Sequence, residues 1–285
     1  MERVSSGPRA DRRDARTLST LPPWGARFRR LWLPGHRRAA TFLVHVVLFL
    51  AFIGAWTLIA HFRLISALVL PAPLTILQAL EDVIRAPYFV TDLWTTTYET
   101  VAGFALAATV AIVLAVLLSQ FARLRRIAYP YVIVFQVIPS VALAPALIII
   151  LGPGVQSKIA LAFTISFFVV LVATMEGLAR VPATSLALMR SLRASGRQTF
   201  WLLKVRVALP AIFAGLRSSV TLALVGALVG EFITARDGLG RRLVELSFAI
   251  KSDMVWALLL VIGALGLALY GLVVLVDRRV VWWKP

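Results

Sequence analysis

The sequence predicts an all-α membrane protein with six transmembrane helices and both termini on the cytoplasmic side. Hydrophobic residues make up 60% of its 285 residues and charged residues only 15%, whereas a soluble domain carries about 25% charged residues. Six apolar runs each approach the roughly 20 residues that cross the hydrocarbon layer. The sequence has no cysteine, which excludes disulfide and thiolate chemistry.

The N-terminal residues 1–38 contain ten arginines, three acidic residues and scattered prolines. Such a composition buries too little apolar surface to fold, so we expect a basic, mostly disordered cytoplasmic tail. The apolar run that follows is too long for the core of a secretory signal. A transmembrane domain is predicted over residues 39–277, followed by a short cytoplasmic tail at 278–285.

The predicted spans are apolar runs at residues 39–60, 101–118, 127–151, 159–178, 211–233 and 254–276. Between the first two, residues 70–87 predict a short amphipathic helix. It begins at Pro73 and has Leu74, Leu77 and Leu80 on its apolar side. This helix is too short and too polar to cross the membrane, so we expect it to lie along the external surface.

The distribution of Lys and Arg determines the predicted orientation. With the N-terminus inside, the cytoplasmic segments hold 22 of these residues and the external segments hold 7, with only Arg217 inside a span. Because cytoplasmic loops carry the excess of positive charge, both ends and the central loop are predicted to face the cytoplasm. The formal net charge of +17 is then mostly a topology signal, and nucleic acid is not needed as a partner.

The central cytoplasmic loop, residues 179–210, is strongly basic. No Asp or Glu occurs from Gly177 to Gly230, and the cations of the loop are Arg180, Arg190, Arg193, Arg197, Lys204 and Arg206. This pattern favours a docking element for a soluble partner. A basic helix held at the membrane surface by anionic lipid is the alternative.

Two short helices are predicted within this loop. Pro182 suits the first helical position, Gly196 a helix stop, and Pro210 the end of the second helix. Leu186, Met189 and Leu192 recur every third residue, so the first helix has an apolar edge beside its cationic edge.

Motifs for catalysis are missing from the sequence. There is no Gly-x-x-x-x-Gly-Lys-Ser/Thr loop for ATP phosphates and no Gly-x-Ser-x-Gly or Ser-His-Asp arrangement. The histidines His36, His45 and His61 do not have metal-ligand spacing. We therefore expect no catalytic residue, no metal site and no cofactor bound by this chain.

Two regions within the spans are candidates for a solute pathway or gate. Gln136, Pro139 and Ser140 lie in the third span, where two prolines free backbone carbonyls that need polar surroundings; a kink that serves only helix packing is the alternative. Glu231, near the end of the fifth span, is an ionisable group of the kind that marks pathways. Just before it, Gly226 and Gly230 form a Gly-x-x-x-Gly pair that allows close helix packing.

Several of these motifs together resemble one family of proteins. The segments are Leu70–Leu80 with its Pro-x-Pro, Ile138–Ile159 (IPSVALAPALIIILGPGVQSKI), Pro210–Arg217 (PAIFAGLR) and Glu231–Gly240 (EFITARDGLG). From about Val69 onward, the chain resembles the integral-membrane permease subunits of bacterial ABC importers, in the nitrate, sulfonate and taurine branch.

This resemblance implies a type I importer permease fold in the bacterial inner membrane. It implies ABC ATPase subunits that bind ATP and Mg, a second permease subunit in a homodimer or heterodimer, and an extracytoplasmic solute-binding protein. The implied solute is a small organic or inorganic anion such as a sulfonate, taurine or nitrate. A vitamin or a thiamine pyrimidine precursor is the alternative, and an ion-coupled secondary carrier is the alternative of another class.

The resemblance also gives the central loop a role in coupling to the ATPase. The family's coupling motif, Glu-Ala-Ala followed by three residues and Gly, aligns with Ala187, Leu188 and Met189, and its glycine aligns with Arg193. The expected coupling residues are Ala187, Leu188, Met189, Arg190, Leu192, Arg193, Ala194, Ser195 and Gly196. Since the motif's acid and glycine are both missing, we expect the first helix to run on to Gly196. An unusual ATPase partner, a heterodimer with a more standard permease, or a degenerate loop would each fit this departure.

Overall fold

The computed structural model describes residues 34–283, and every regular element in that range is helical. The predicted N-terminal tail falls mostly outside the described residues, although residues 34–38 belong to the first helix, α1 (Pro34–His61). Within the described range, the residues up to Ile59 and those from Ala60 onward fall into two separate units. Within the first unit, α1 is an apolar helix whose residues from Thr41 onward are mostly exposed.

The second unit contains ten further α-helices in chain order. They are α2 (Pro73–Arg85), α3 (Phe89–Gln120), α4 (Ala122–Val137), α5 (Ala144–Leu151), α6 (Val155–Ala179), α7 (Ala183–Ser191), α8 (Gly196–Thr199), α9 (Val205–Thr234), α10 (Leu239–Phe248) and α11 (Ser252–Val280). A 3₁₀ turn at Ser140–Leu143 precedes α5, and a π-turn at Phe200–Lys204 joins α8 to α9.

Five helical segments in the described range are long and apolar enough to cross a membrane, and a bent pair brings the number to six. The predicted third span is the bent pair, since its two halves, Arg126–Val137 and Ser140–Leu151, meet at 81°. The break has a local cause. Ile138 precedes Pro139, which disfavours a helical backbone at Ile138, and both residues are extended.

Two predicted spans begin later than the helices that contain them. α3 begins at Phe89 rather than near Val101, because polar side chains in its first turns are buried inside the protein. The fifth span was predicted to begin after Pro210, but Pro210 lies inside α9. Burial of Ala208 and Ile212 against Leu178 packs the helix on both sides of that proline, and this tertiary packing overrides the low helix propensity of proline.

The centre of the fold is the bundle of α3, α6 and α9, in which small residues make the closest backbone approaches. On α3, Ala107, Ala111 and Ala115 are fully buried at intervals of four residues, which places them on one helix face. On α9, Gly226 lies against α6 so closely that a Cβ there would be 2.6 Å from the Cα of Ala162. Small residues let helix backbones approach in this way within a membrane.

The short helix α2 packs on α11 through a different face from the predicted one. Ile76, Ala79 and Val83 are its buried residues, whereas Leu74 and Leu77 are exposed. The predicted leucine side is therefore not the face that contacts α11. Its exposed leucines are compatible with the predicted position of this helix along the membrane surface, which stays a prediction.

Candidate functional site

The predicted docking segment, residues 179–210, has no buried residue in α7. Pro182 is the cap residue before the helix rather than its first residue. Leu188 and Leu192 are 60% and 67% exposed, while Leu186 and Met189 are half-buried. The first helix of the segment and the residue after it thus present Leu188 and Leu192 beside Arg190 on a surface that the other described residues leave largely uncovered.

The helix α7 ends at Ser191, so the prediction that it runs on to Gly196 was wrong. Arg193 adopts a left-handed backbone with φ of 50°. Its N–H donates to the carbonyl of Arg190 at 2.9 Å, and the Ala194 N–H donates to the carbonyl of Met189 at 3.0 Å. This is the Schellman arrangement, which satisfies the last carbonyls of a helix. Arginine in the left-handed region costs about 1–2 kcal/mol, and the two hydrogen bonds offset that cost.

Gly196 starts the next helix instead of stopping the previous one. The Ser195 side chain accepts the Gln198 N–H at 3.2 Å, and the Gln198 side chain accepts the Ser195 N–H at 2.8 Å. This reciprocal pair is a capping box, and its Ser-x-x-Gln signature was present in the sequence. A search for helix starts in this loop would have found it.

The second half of the docking segment is continuous with a membrane-crossing helix. From Gly196 to Thr234 the chain is helical over 39 residues, which corresponds to about 58 Å at 1.5 Å per residue. Two features interrupt the regular pattern along this length, the π-turn at Phe200–Lys204 and the proline at Pro210. A displacement of the docking segment therefore has a direct helical path to the far end of α9.

The basic side chains of the docking segment are largely exposed, as Arg190, Arg193, Arg197 and Arg206 show. Arg180 pairs with Glu176 at 3.2 Å, with both side chains exposed. Exposed pairs of this kind contribute little to stability. The segment as a whole therefore carries positive charge that no acidic group within it neutralises.

The pathway candidates of the third span lie at its break. Gln136 and Pro139 are exposed and Ser140 is half-buried. At the break Val137 is 76% exposed, and near the far end of α5 Ile149 is 83% exposed, so this span is little covered by its own bundle. The fourth candidate, Glu231, lies elsewhere and is buried.

Glu231 belongs to a buried polar cluster, which we call the Glu231 cluster. Its members come from four helices and one loop: Asp92, Thr96, Glu99, Lys158, Glu231, Gly238, Leu239, Gly240 and Arg242. Glu231 is 1% exposed. Its Oε1 accepts the Thr96 hydroxyl at 2.6 Å, and its Oε2 accepts the Gly240 N–H at 2.6 Å. The carboxylate thereby joins the end of α9 to α3 and to the start of α10.

The same cluster holds the backbone that connects α9 to α10. The Leu239 N–H donates to the Thr96 hydroxyl oxygen at 2.8 Å, and the Gly238 N–H donates to Asp92 Oδ1 at 2.8 Å. Asp92 Oδ2 accepts from Arg242 Nε at 2.9 Å. The Arg242 guanidinium also lies 3.8 Å from the centre of the Tyr88 ring, a cation–π contact.

On its α6 side, the cluster contains Lys158, which is 3% exposed. Its Nζ donates to the carbonyls of Pro153 and Gly154 at 2.6 and 3.0 Å. Its side chain also lies against Gly230, where a Cβ would be 2.8 Å from Lys158 Cγ. Gly230 thus makes room for the lysine, and with Gly226 it provides the close approach of α9 to α6 that the glycine spacing predicts.

Two glycines of the cluster cannot be replaced without displacing Glu231. Gly238 has φ of +122°, and a Cβ on it would lie 2.5 Å from the Glu231 carboxyl carbon. A Cβ on Gly240 would lie 2.7 Å from Glu231 Oε2. The glycines of the Glu231–Gly240 motif thus allow the backbone to reach the carboxylate, which is a physical reason for their place in it.

Sequence reasoning missed Asp92, Thr96, Lys158 and Arg242 as members of this cluster. It also left Arg217 without a partner, whereas Arg217 of α9 lies 3.8 Å from Asp277 of α11. A signal was available on α3, where Asp92, Thr96 and Glu99 follow one another at helical spacing. Among residues 34–283, no three His, Asp or Glu side chains are grouped so as to hold a metal ion.

Comparison with known proteins places these features in a family. Residues 103–282 match the family described as binding-protein-dependent transport system inner membrane component. A probable ABC transporter permease protein of Haemophilus influenzae is 28% identical over 80% of this chain and 92% of its own length. The formylaminopyrimidine transport permease ThiX of Halalkalibacterium halodurans is 30% identical over 75% of this chain and 86% of its own.

A further relative is named for a different solute, and a solved structure has a similar fold. The putative aliphatic sulfonates transport permease SsuC of Bacillus subtilis is 26% identical over 88% of this chain and 91% of its own. A chain of the MetNI methionine ABC transporter, solved in inward-facing conformations, superposes with a TM-score of 0.56 at 20% identity, covering 68% of this chain and 94% of that one.

The family resemblance and the multi-pass membrane location predicted from the sequence are therefore confirmed. The observed helices agree with the fold of an importer permease, with five or six spans rather than six straight ones. The chain belongs to the family of binding-protein-dependent transport system inner membrane components and is a multi-pass permease subunit of an ABC importer.

Proposed function

We propose that this chain forms the solute pathway of an ATP-driven importer and couples to separate ATPase subunits through residues 179–210. The observation that carries the proposal is the docking segment itself. Its first helix, α7, has no buried residue, the stop of that helix is held by hydrogen bonds, and the segment continues into the 39-residue helical stretch that ends at Thr234. Such a segment can receive a force from a partner and transmit it along a helix across the membrane.

In the proposed complex, ATP and Mg bind to the ATPase chains, and this chain holds no cofactor. A second permease subunit completes the pathway, and an extracytoplasmic solute-binding protein delivers the solute. The docking segment, together with both chain ends, faces the cytoplasm, in agreement with the excess of Lys and Arg on that side. ATP-driven movement of the docking segments then switches the spans between two orientations of access.

The coupling residues proposed here are those of the exposed turn from Ala187 to Gly196. The turn lacks the acid and the glycine of the usual motif, but its helix stop is preserved by Arg193 in a left-handed conformation. The shape of the docking element therefore does not depend on glycine. Relative to the usual motif, the turn therefore differs mainly in charge, because it presents an arginine to the partner and has no acidic residue.

The experiment that tests docking compares two arginines with the same backbone. Arg193 and Arg63 both have φ near 50° and both are exposed, so Arg193→Glu and Arg63→Glu impose the same backbone strain at different places. We expect Arg193→Glu to lower co-purification of the ATPase subunits by at least about tenfold, equivalent to 1.4 kcal/mol, with Arg63→Glu unchanged. Deletion of Ala187–Gly196 should abolish association and uptake while membrane insertion persists. Retention of the ATPase by the deletion variant would refute the proposal.

For the solute, we propose a small organic or inorganic anion such as a sulfonate, taurine or nitrate. SsuC, a relative named for aliphatic sulfonates, supports this choice, and ThiX, named for formylaminopyrimidine, supports the alternative of a vitamin or thiamine pyrimidine precursor. Lys158 and Arg217 both engage protein groups, so neither is offered to an anion. Selection would then lie with the binding protein, and calorimetric titration of that protein with taurine, nitrate and formylaminopyrimidine discriminates the two proposals.

A further inference from the structure

The Glu231 cluster lies at the opposite end of α9 from the docking segment. Glu231 is three residues before the end of the helical segment that begins at Gly196. Since this segment is long enough to cross the hydrocarbon layer, the docking segment and the cluster lie on opposite sides of the membrane. The function proposed above does not use the cluster.

The cluster connects α9 to its neighbours through polar contacts between different elements. Glu231 binds Thr96 of α3 and the Gly240 N–H of α10, and Thr96 in turn binds the Leu239 N–H. Asp92 of α3 holds Gly238 and Arg242 in the same way. These contacts bind three successive backbone N–H groups of the α9–α10 connection to side chains of α3 and α9. The connection is therefore fixed to both helices rather than to one.

The burial of these groups makes the arrangement stiff. Asp92, Thr96 and Glu231 are each at most 1% exposed, so water cannot replace a broken hydrogen bond at these positions. Buried polar groups that lose their partners incur a large desolvation cost. The oxygens of Asp92, Thr96 and Glu231 that make these contacts are satisfied, which favours one arrangement, whereas Glu99 Oε2 in the same cluster is buried without a hydrogen-bond partner among the described residues. Gly238 and Gly240 allow the approach, and any side chain there would push the carboxylate away.

The docking segment and the third span contrast with this region. α7 has no buried residue, and the broken span from Arg126 to Leu151 is largely exposed around its 81° bend. The Glu231 cluster therefore has more internal polar contacts to resist a change of shape than either of these two regions. A movement received at the cytoplasmic end of α9 would be passed to α3 and α10 through these contacts.

We propose that the Glu231 cluster is a rigid corner that makes α3, α9 and α10 move as one body on the external side when the docking segment is displaced, with Glu231 and Thr96 as its positioning residues. The proposal rests on the proposed coupling of residues 179–210 to an ATPase. It adds a second place in the chain, far from the docking segment, at which coupling can be lost while the ATPase remains bound.

The test uses the whole complex and spin labels, since the chain has no native cysteine. Trp94 of α3 and Ser247 of α10 are exposed and outside the cluster, so Trp94→Cys and Ser247→Cys carry the labels. The distance between them is measured by double electron–electron resonance without nucleotide and with Mg-ATP trapped by vanadate. In the otherwise native complex we expect no shift, whereas a shift of about 1–2 Å or more, the scale of helix movements in allosteric proteins, overturns the proposal.

The second arm removes one hydroxyl from the cluster. Thr96→Val loses the hydrogen bonds to Glu231 and Leu239 at nearly constant volume, and Thr96→Ser keeps them. Thr109→Val, on the same helix, removes an exposed hydroxyl that binds only the Ala105 carbonyl. We expect the ATP-dependent shift between the labels to appear in Thr96→Val alone, while the amount of bound ATPase stays the same. A role in folding alone would move the distance equally with and without ATP.

The outcomes separate this proposal from the coupling proposal on which it rests. A native complex that contains no ATPase refutes the coupling proposal before any label is measured. Bound ATPase with no ATP-dependent shift in Thr96→Val, or with the same shift in Thr109→Val, refutes the rigid corner alone. If Thr96→Val fails to assemble, the ATP dependence of the labelled native complex decides the question by itself.

Discussion

The contact between α9 and α6 leads to a stability prediction that the structure makes quantitative. At Gly226, a Cβ would lie 2.6 Å from the Cα, 2.9 Å from the N of Ala162 and 3.0 Å from the O of Leu161. All three atoms are backbone, which cannot rotate away as a side chain can. Non-bonded heavy atoms prefer about 3.5–4.0 Å, so Gly226→Ala must separate the two helices by about 1 Å.

Overpacking of a well-packed interior costs about 1–3 kcal/mol, and we expect a loss of this size from Gly226→Ala. The matched control is Gly263→Ala on α11, where a Cβ would meet nothing within 4 Å. There, alanine is favoured over glycine in a helix interior by about 1 kcal/mol, so the control should be neutral or more stable. The two substitutions add the same single methyl group, and only its surroundings differ.

The assay is thermal melting of the purified complex in detergent, followed by the loss of the monodisperse peak in size-exclusion chromatography. At about 2–4 °C per kcal/mol for a domain of this size, Gly226→Ala should melt roughly 2–12 °C below the native protein and below Gly263→Ala. Equal melting of the two variants would refute the reasoning, because it would mean that α6 and α9 are free to separate at no cost.

Three further substitutions test other parts of the structure by the same melting assay. Arg193→Gly relieves the left-handed strain and should raise stability by up to about 1 kcal/mol, and a loss would contradict the observed helix stop. Asp277→Asn leaves the half-buried Arg217 without its charge partner and should cost about 1–3 kcal/mol, with partial recovery when Arg217→Met is added. Gly238→Ala combines a strained φ with a Cβ placed against Glu231 and should cost about 3 kcal/mol or more, so unchanged melting would argue against the Glu231 cluster.

The all-α class and the approximate positions of the spans were predictable because the length of an apolar run is a local property of the sequence. The face of α2 was not, because Leu74 and Leu77 satisfy a hydrophobic pattern without being the residues that pack. Ile76, Ala79 and Val83 are buried because α11 lies there, and a pattern within thirteen residues contains no information about that neighbour. Amphipathicity predicts that a helix packs, and the partner decides with which face.

The start of α3 and the Glu231 cluster were missed for a related reason. Asp92, Thr96 and Glu99 make the first turns of α3 too polar for a span when they are judged alone. Asp92 and Thr96 are tolerated because their partners come from residues far along the chain, as in the contact of Asp92 with Gly238. The Glu231–Gly240 motif was recognised in the sequence, but the contacts that its residues make with α3 could be seen only in the structure.

Some of the Lys and Arg residues that were counted to predict the membrane orientation have specific contacts in the structure. Lys158 and Arg242 were counted among the external cations, yet both are held by protein groups inside the Glu231 cluster. The positive-inside rule counts Lys and Arg by their place in the sequence, so these contacts leave the predicted orientation as it was. Arg217, which belonged to neither side, is explained by Asp277.

The loss of the coupling glycine illustrates the limit of reading a backbone from residue types. Glycine is the usual left-handed residue at a helix end, and its replacement by Arg193 suggested a longer helix. The structure keeps the stop because the carbonyls of Met189 and Arg190 still need donors, and the left-handed turn supplies two of them. The next helix adds its own capping box at Ser195, which starts a new helix three residues after Leu192. The geometry of the docking element is thus set by hydrogen bonds on both sides of Arg193, which leaves the charge of that residue available for the partner.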